Sequence, residues 1–213
     1  MTTPSAAVGA STALIARQAI VNSEKSVIGY ELFNRSRAPA EHTAASDVLL
    51  VFTAMTHAGT EDIMGDKLLF VNCTHESLAG GHLELLDPSK IVLEIQDLGH
   101  SASAEAHLRL PMLETLKQRG FKLSFGHFVL DSVYAGWLAL ANYIKLDLTV
   151  LPRDQWLVLI QYAQKHSTAQ LIAAKMETVE QFELLQQMGI KLFQGFWFAR
   201  PSVFEAKILA PRQ

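Results

Sequence analysis

Short apolar segments of this chain stop on polar side chains: Phe70-Val71-Asn72, Val92-Leu93-Glu94, Lys122-Leu123-Ser124-Phe125-Gly126-His127 and Ile144-Lys145-Leu146-Asp147. Carboxylate and amide oxygens are hard ligands, suited to a divalent cation and to the water that such a cation activates. A lysine among them can pair with the acids or with an anionic substrate. Where strands alternate with helices around a barrel, the carboxyl ends of the strands gather at one mouth, so these side chains are expected to converge there. The ends at Gly126-His127 and at Leu171-Ile172-Ala173-Ala174 bring no acid. The mouth therefore keeps part of a metal site and lacks the rest.

The elements that must position these residues are legible in the periodicity. Leu14 to Val21 and Val27 to Phe33 read as extended stretches joined by the polar turn Asn22-Ser23-Glu24-Lys25-Ser26, which predicts an antiparallel hairpin. Ser46 to His57 has helical spacing of its apolar residues, and Leu68 to Asn72 is a short buried strand. Strands then alternate with helices: Ile91–Ile95, helix Ala104–Gln118, Phe121–Phe125, a short helix near Val133–Leu140, Tyr143–Leu146, helix Arg153–His166, Gln170–Ala173, helix Val179–Met188 and Lys191–Phe193. This order predicts parallel βαβ units in an α/β fold, closed as a modified TIM-like (β/α) barrel with an N-terminal antiparallel hairpin.

Length and composition bound the rest. At 213 residues, 49% hydrophobic and net charge −3, the chain suits one domain with a large core. Residues 1–13 read as a flexible tail and 14–213 as the single domain. The charge balance offers no broad basic surface, so nucleic acid is not an expected partner. Cys73 is the only cysteine, which excludes an internal disulfide and fits a reducing compartment. No apolar run reaches membrane-spanning length and no cationic segment with an apolar core opens the chain, so the expectation is a cytoplasmic protein without membrane insertion.

Tyr30-Glu31-Leu32-Phe33-Asn34-Arg35, Phe70-Val71-Asn72, Val92-Leu93-Glu94-Ile95, Tyr143-Ile144-Lys145-Leu146-Asp147, Lys175-Met176-Glu177-Thr178 and Phe193-Gln194-Gly195-Phe196-Trp197-Phe198 follow one another in an order and spacing that resembles the EAL domain family of cyclic di-GMP phosphodiesterases. The resemblance covers roughly residues 14 to 201. It is nearest to the branch in which an EAL domain precedes an HDOD domain, because the interval from Phe128-Val129-Leu130-Asp131 to Lys145 is the shortened form seen there. In active members two divalent cations activate a water that opens one phosphodiester. The resemblance places the ligands of the first cation at Glu31, Asn72, Glu94 and Gly126, and those of the second at Gly126, His127 and Ala174. Three acids are thus replaced, at Gly126, His127 and Ala174. The matched set is completed by Lys145, Glu177 and Gln194, while Gln18 and Arg35 match residues that contact the dinucleotide. Ala19 stands where a proline usually follows that glutamine.

The resemblance thus implies a degenerate EAL domain that is not an enzyme and needs no metal, with Glu31, Asn72, Glu94, Lys145, Glu177 and Gln194 as remnants of the site. Its expected role is a signalling or regulatory protein-interaction module for an unidentified protein partner, with cyclic di-GMP reception through Gln18 and Arg35 left open. The alternative is an active phosphodiesterase dependent on magnesium or manganese. The remaining motifs take bland readings. The histidines lack paired metal-ligand spacing, Cys73 reads as a buried small side chain rather than a nucleophile, and Phe193, Phe196, Trp197 and Phe198 are expected to close the barrel floor and pack the last helix.

Overall fold

The computed structural model describes residues 12–34, 65–79, 81–198 and 200–207. The expected helix Ser46 to His57 and the candidate ligand contact Arg35 lie outside the described residues. The strands are β1 (Thr12–Asn22), β2 (Val27–Asn34), β3 (Leu68–Cys73), β4 (Ile91–Ile95), β5 (Lys122–Gly126), β6 (Tyr143–Asp147), β7 (Gln170–Ala174), β8 (Leu192–Gln194) and β9 (Ser202–Lys207). Helices α1 (Ala102–Gln118), α2 (Ala135–Leu138), α3 (Trp156–His166) and α4 (Val179–Gln187) follow β4, β5, β6 and β7.

β2 to β8 pair in sequence, each parallel to the next, and β1 lies antiparallel to both β2 and β8, which closes a barrel of eight strands. The hairpin expected at the amino end is therefore part of the barrel wall. β9 pairs with the first half of β1, from Thr12 to Arg17, whereas β8 pairs with its last residues, Ile20 to Asn22. That ninth strand was not anticipated, since a six-residue segment after an aromatic run carries little periodic signal. Between the two pairings sits Gln18, opposite Glu31 in the β1–β2 register.

Side-chain alternation with a period of two explains how an apolar core carries a polar mouth. Ile20, Phe70, Val92, Tyr143, Ile172 and Leu192 point inward from different strands and form a closed apolar plug within the barrel. Two residues further toward the mouth on those same strands stand Gln18, Asn72, Glu94, Lys145, Ala174 and Gln194. Outward-facing residues such as Leu69, Leu93, Leu123, Ile144 and Phe193 form the larger core beneath the helices with Leu113, Trp137, Ile160 and Leu185. Cys73 belongs to that outer core and is buried.

The aromatic run after β8 departs from expectation. Phe193, Trp197 and Phe198 pack around Phe182 of α4, outside the barrel rather than on its floor. Phe196 is 60% exposed and turns toward the mouth. The reversal happens at Gly195, where any Cβ would lie 2.1 Å from the carbonyl oxygen of Met176, so only glycine allows the two backbones to approach this closely. Among the described residues no helix is long and apolar enough to cross a membrane.

Candidate functional site at the barrel mouth

Glu31 is the residue on which the others converge. Its Oε1 accepts a hydrogen bond from Asn72 Nδ2 at 3.0 Å, while its Oε2 accepts from Lys145 Nζ at 2.7 Å and from Gln194 Nε2 at 2.6 Å. Gln194 Nε2 also reaches Gln18 Oε1 at 3.3 Å. The Lys145 ammonium forms a second ion pair with Glu94 Oε1, which carries no directed hydrogen bond of its own. Strand register accounts for the neighbours: Asn72 stands beside Glu94, and Glu94 beside Ser124.

Two carboxyl groups beside one buried ammonium cannot both ionise at low cost. Burial and the adjacent Glu31 charge push Glu94 up to about 8, against the pull of Lys145. Burial would raise Glu31 as well, but the Lys145 ammonium and hydrogen bonds from Glu94, Lys145 and Gln194 outweigh it and hold Glu31 below the usual carboxylate range. Lys145 is likewise raised, because Glu94 and Glu31 overcome the penalty of burying its charge. Glu94 is thus the more readily protonated of the two carboxyl groups.

Glu31, Asn72, Glu94, Lys145, Gln194 and Gln18 all line one cavity of about 450 Å³. Gly126, His127 and Ala174 line the same cavity, without an acid among them. Glu177 does not join them: it opens onto a neighbouring cavity of about 270 Å³ with Gln18, Phe33, Lys175 and Phe196. Its placement follows from α4, where Thr178 and Gln181 form a reciprocal cap and the Gln181 side chain also accepts from the Glu177 amide.

Sequence reasoning placed Ser124, Asp147 and Lys175 at strand ends or in motifs but gave them no role at the mouth. Ser124 is buried, and its hydroxyl has no hydrogen-bond partner. Asp147 and Lys175 form an ion pair at 2.6 Å on the rim. The alternation along β5 and β6 held a signal for both Ser124 and Asp147, each two residues from another inward position.

A first divalent cation fits the residues present. Glu31, Asn72 and Glu94 supply carboxylate and amide oxygens at one spot, and a magnesium-like ion completes its shell with water and substrate oxygens. A second cation does not fit, since Gly126, His127 and Ala174 bring no acid and the cavity's other acids, Asp97 and Asp147, are taken by the Tyr134 hydroxyl and the Lys175 ammonium. Among the described residues no three His, Cys, Asp or Glu side chains stand close enough to cage a metal.

The EAL domain model matches residues 7–201. This chain belongs to the EAL domain family. Over 206 residues it is 24% identical to the cyclic di-GMP phosphodiesterase CdgJ of Vibrio cholerae, covering 94% of this chain and 47% of that protein. It is 23% identical to the uncharacterized protein YuxH of Bacillus subtilis, covering 92% of this chain and 49% of that one. The chain thus spans about half the length of the curated relatives it matches. Its fold superimposes on BlrP1 of Klebsiella pneumoniae, solved with calcium and cyclic di-GMP, with TM-score 0.72 and 21% identity over 97% of this chain and 60% of that one.

These findings correct the expectation that the EAL domain described here is not an enzyme. CdgJ, matched over 94% of this chain, is named a cyclic di-GMP phosphodiesterase, and that overturns the expectation. The physical reason is that the replaced acids leave Glu31, Asn72 and Glu94, three of the four positions assigned to the first cation, assembled around Lys145.

Proposed function

We propose that this EAL domain binds cyclic di-GMP at the barrel mouth and, with one divalent cation held by Glu31, Asn72 and Glu94, hydrolyses one phosphodiester bond to give a linear dinucleotide. The observation that carries the proposal is the convergence of Asn72, Lys145 and Gln194 on the Glu31 carboxylate, beside Glu94, in a cavity open to solvent. When bound, the cation supplies Lewis acidity and lowers the pKa of a coordinated water. Glu31 and Glu94 fix where it sits, and Lys145 holds both carboxyl groups in place. Gln18 faces the same cavity and contributes an amide to the ligand, and Arg35 grips a phosphate through its forked donors.

The test is chromatography of cyclic di-GMP incubated with the protein and magnesium or manganese, alongside calorimetric titration of the same mixture. Product formation lost in Glu31→Ala, with affinity reduced at least about tenfold in Arg35→Ala, is the expected result. Neither heat of binding nor product in the wild type overturns the proposal. A second reading, a signalling module engaged by a regulatory protein, is supported by Leu157, Val158 and Tyr162, which stand exposed on α3.

A further inference from the structure

The half of the mouth without the three acids carries a cation. Lys175 follows the last residue of β7 and adopts a left-handed backbone, φ +59°, which L side chains rarely take. Hydrogen bonds on either side impose that conformation: the Ala174 carbonyl accepts from the Leu148 amide at 3.1 Å, and the Met176 amide donates to the Gln194 carbonyl at 3.0 Å. A non-glycine residue held in such a region at a cavity mouth raises the question of what its side chain does there. The Lys175 side chain is 61% exposed and lines both cavities of the mouth.

We propose that Lys175 is the second positive centre of this site, standing in for the second divalent cation and gripping a phosphate oxygen of the bound cyclic dinucleotide at the junction of the two cavities. The inference rests on the function proposed above. Lys145 cannot take this role, because its ammonium is buried between Glu31 and Glu94. Among the described residues lining the larger cavity, Lys145 and Lys175 are its lysine and arginine cations. Lys175 keeps one ion-pair partner, Asp147, and an ammonium has three donors, so it can hold Asp147 and a phosphate together. Ser124 adds an independent pointer to a ligand, since its buried hydroxyl lines the same cavity with no hydrogen-bond partner. Ala174 leaves no carboxylate for a cation to neutralise, and Lys175 brings a positive charge covalently.

The experiment is calorimetric titration of cyclic di-GMP into wild type and Lys175→Gly, each in EDTA and in magnesium. Glycine suits the left-handed backbone, so Lys175→Gly is expected to melt at or above the wild-type temperature. We expect the wild type to bind in EDTA and Lys175→Gly to bind at least about tenfold more weakly there. Equal affinity of wild type and Lys175→Gly in both buffers overturns the role of Lys175 while leaving cyclic di-GMP binding intact. Absence of binding by the wild type in both buffers overturns the underlying function and this inference with it, whereas binding in magnesium alone overturns this inference only.

Discussion

Around one rim, β2, β3, β4, β6 and β8 end in side chains that bind one another, while β5 and β7 end in residues that bind nothing of the kind. On the first side Glu31, Asn72, Glu94, Lys145 and Gln194 form a closed network of charge-assisted hydrogen bonds and ion pairs. On the other, Gly126 and Ala174 present only backbone and a methyl group, and His127 is half-buried. The difference shows that the two halves of such a site can diverge independently. The first half is cross-braced, so losing one member strands the charges of the rest; in the second, an acid that served only a cation can be lost without leaving a buried group unpaired. Gly126 illustrates the freedom of that half, since a Cβ there would meet the Phe128 ring at 3.1 Å, a contact relieved by a small shift of the ring.

The largest expected effect breaks the braced half at its centre. Lys145→Met leaves Glu31 and Glu94 buried together without their counter-ion, and removal of one partner from a buried ion pair costs about 3–5 kcal/mol. For a chain of this size that lowers the melting temperature by roughly 10 °C. Adding Glu94→Gln should recover part of the loss, because the remaining carboxylate then has an amide neighbour. A melting temperature within about 2 °C of wild type for Lys145→Met means the network is not the brace described here.

A smaller effect separates the two glutamates by pH. Glu94 is raised to about 8, so the folded chain holds a proton there that the unfolded chain releases above pH 4.5. Its stabilising contribution is full below 4.5 and is lost as pH rises through about 8. Glu31 has the opposite sign: held low, it contributes above 4.5 and loses that contribution in acid. Between pH 7 and 9 the change therefore belongs to Glu94. Thermal melts of the wild type should fall across that interval by at least about 2–4 °C, the equivalent of one displaced pKa unit or ~1.4 kcal/mol. Glu94→Gln, which mimics the neutral acid, should flatten the curve, and a parallel fall in both proteins would assign the pH dependence elsewhere.

How much of this was legible in the sequence differs between strands and site. β4, the hairpin and the αβ alternation were readable because period-two and helical patterns are local, and the strand ends named Asn72, Glu94 and Lys145 directly. The order of the motifs added Glu31, Gln18 and Gln194, which come from opposite ends of the chain and meet only on barrel closure. Lys175 was not legible, because its role depends on a left-handed backbone imposed by bonds from Leu148 and Gln194. Phe196 was misplaced for a similar reason: in an aromatic run, only the Gly195 reversal decides which ring turns outward. The inference of inactivity weighed the missing acids above the braced set that remained, which it read as a remnant.

The smallest expected effect tests whether the two halves meet at Ser124. This hydroxyl stands beside Glu94 in the register, is fully buried, and has no hydrogen-bond partner. In the ligand-free protein an unpaired buried hydroxyl is a cost of about 1–3 kcal/mol that its removal relieves in part, so Ser124→Ala should leave stability unchanged or slightly raised, by at most about 1 kcal/mol. In the presence of saturating cyclic di-GMP the sign should reverse, because the hydroxyl then has a phosphate oxygen or its bound water to donate to. Melting curves of wild type and Ser124→Ala with and without the dinucleotide measure both signs at once. A variant that is destabilised without ligand places Ser124 in the braced half, as a structural partner of Glu94. A variant indifferent in both conditions detaches it from either half and confines ligand recognition to Gln18, Arg35 and Lys175.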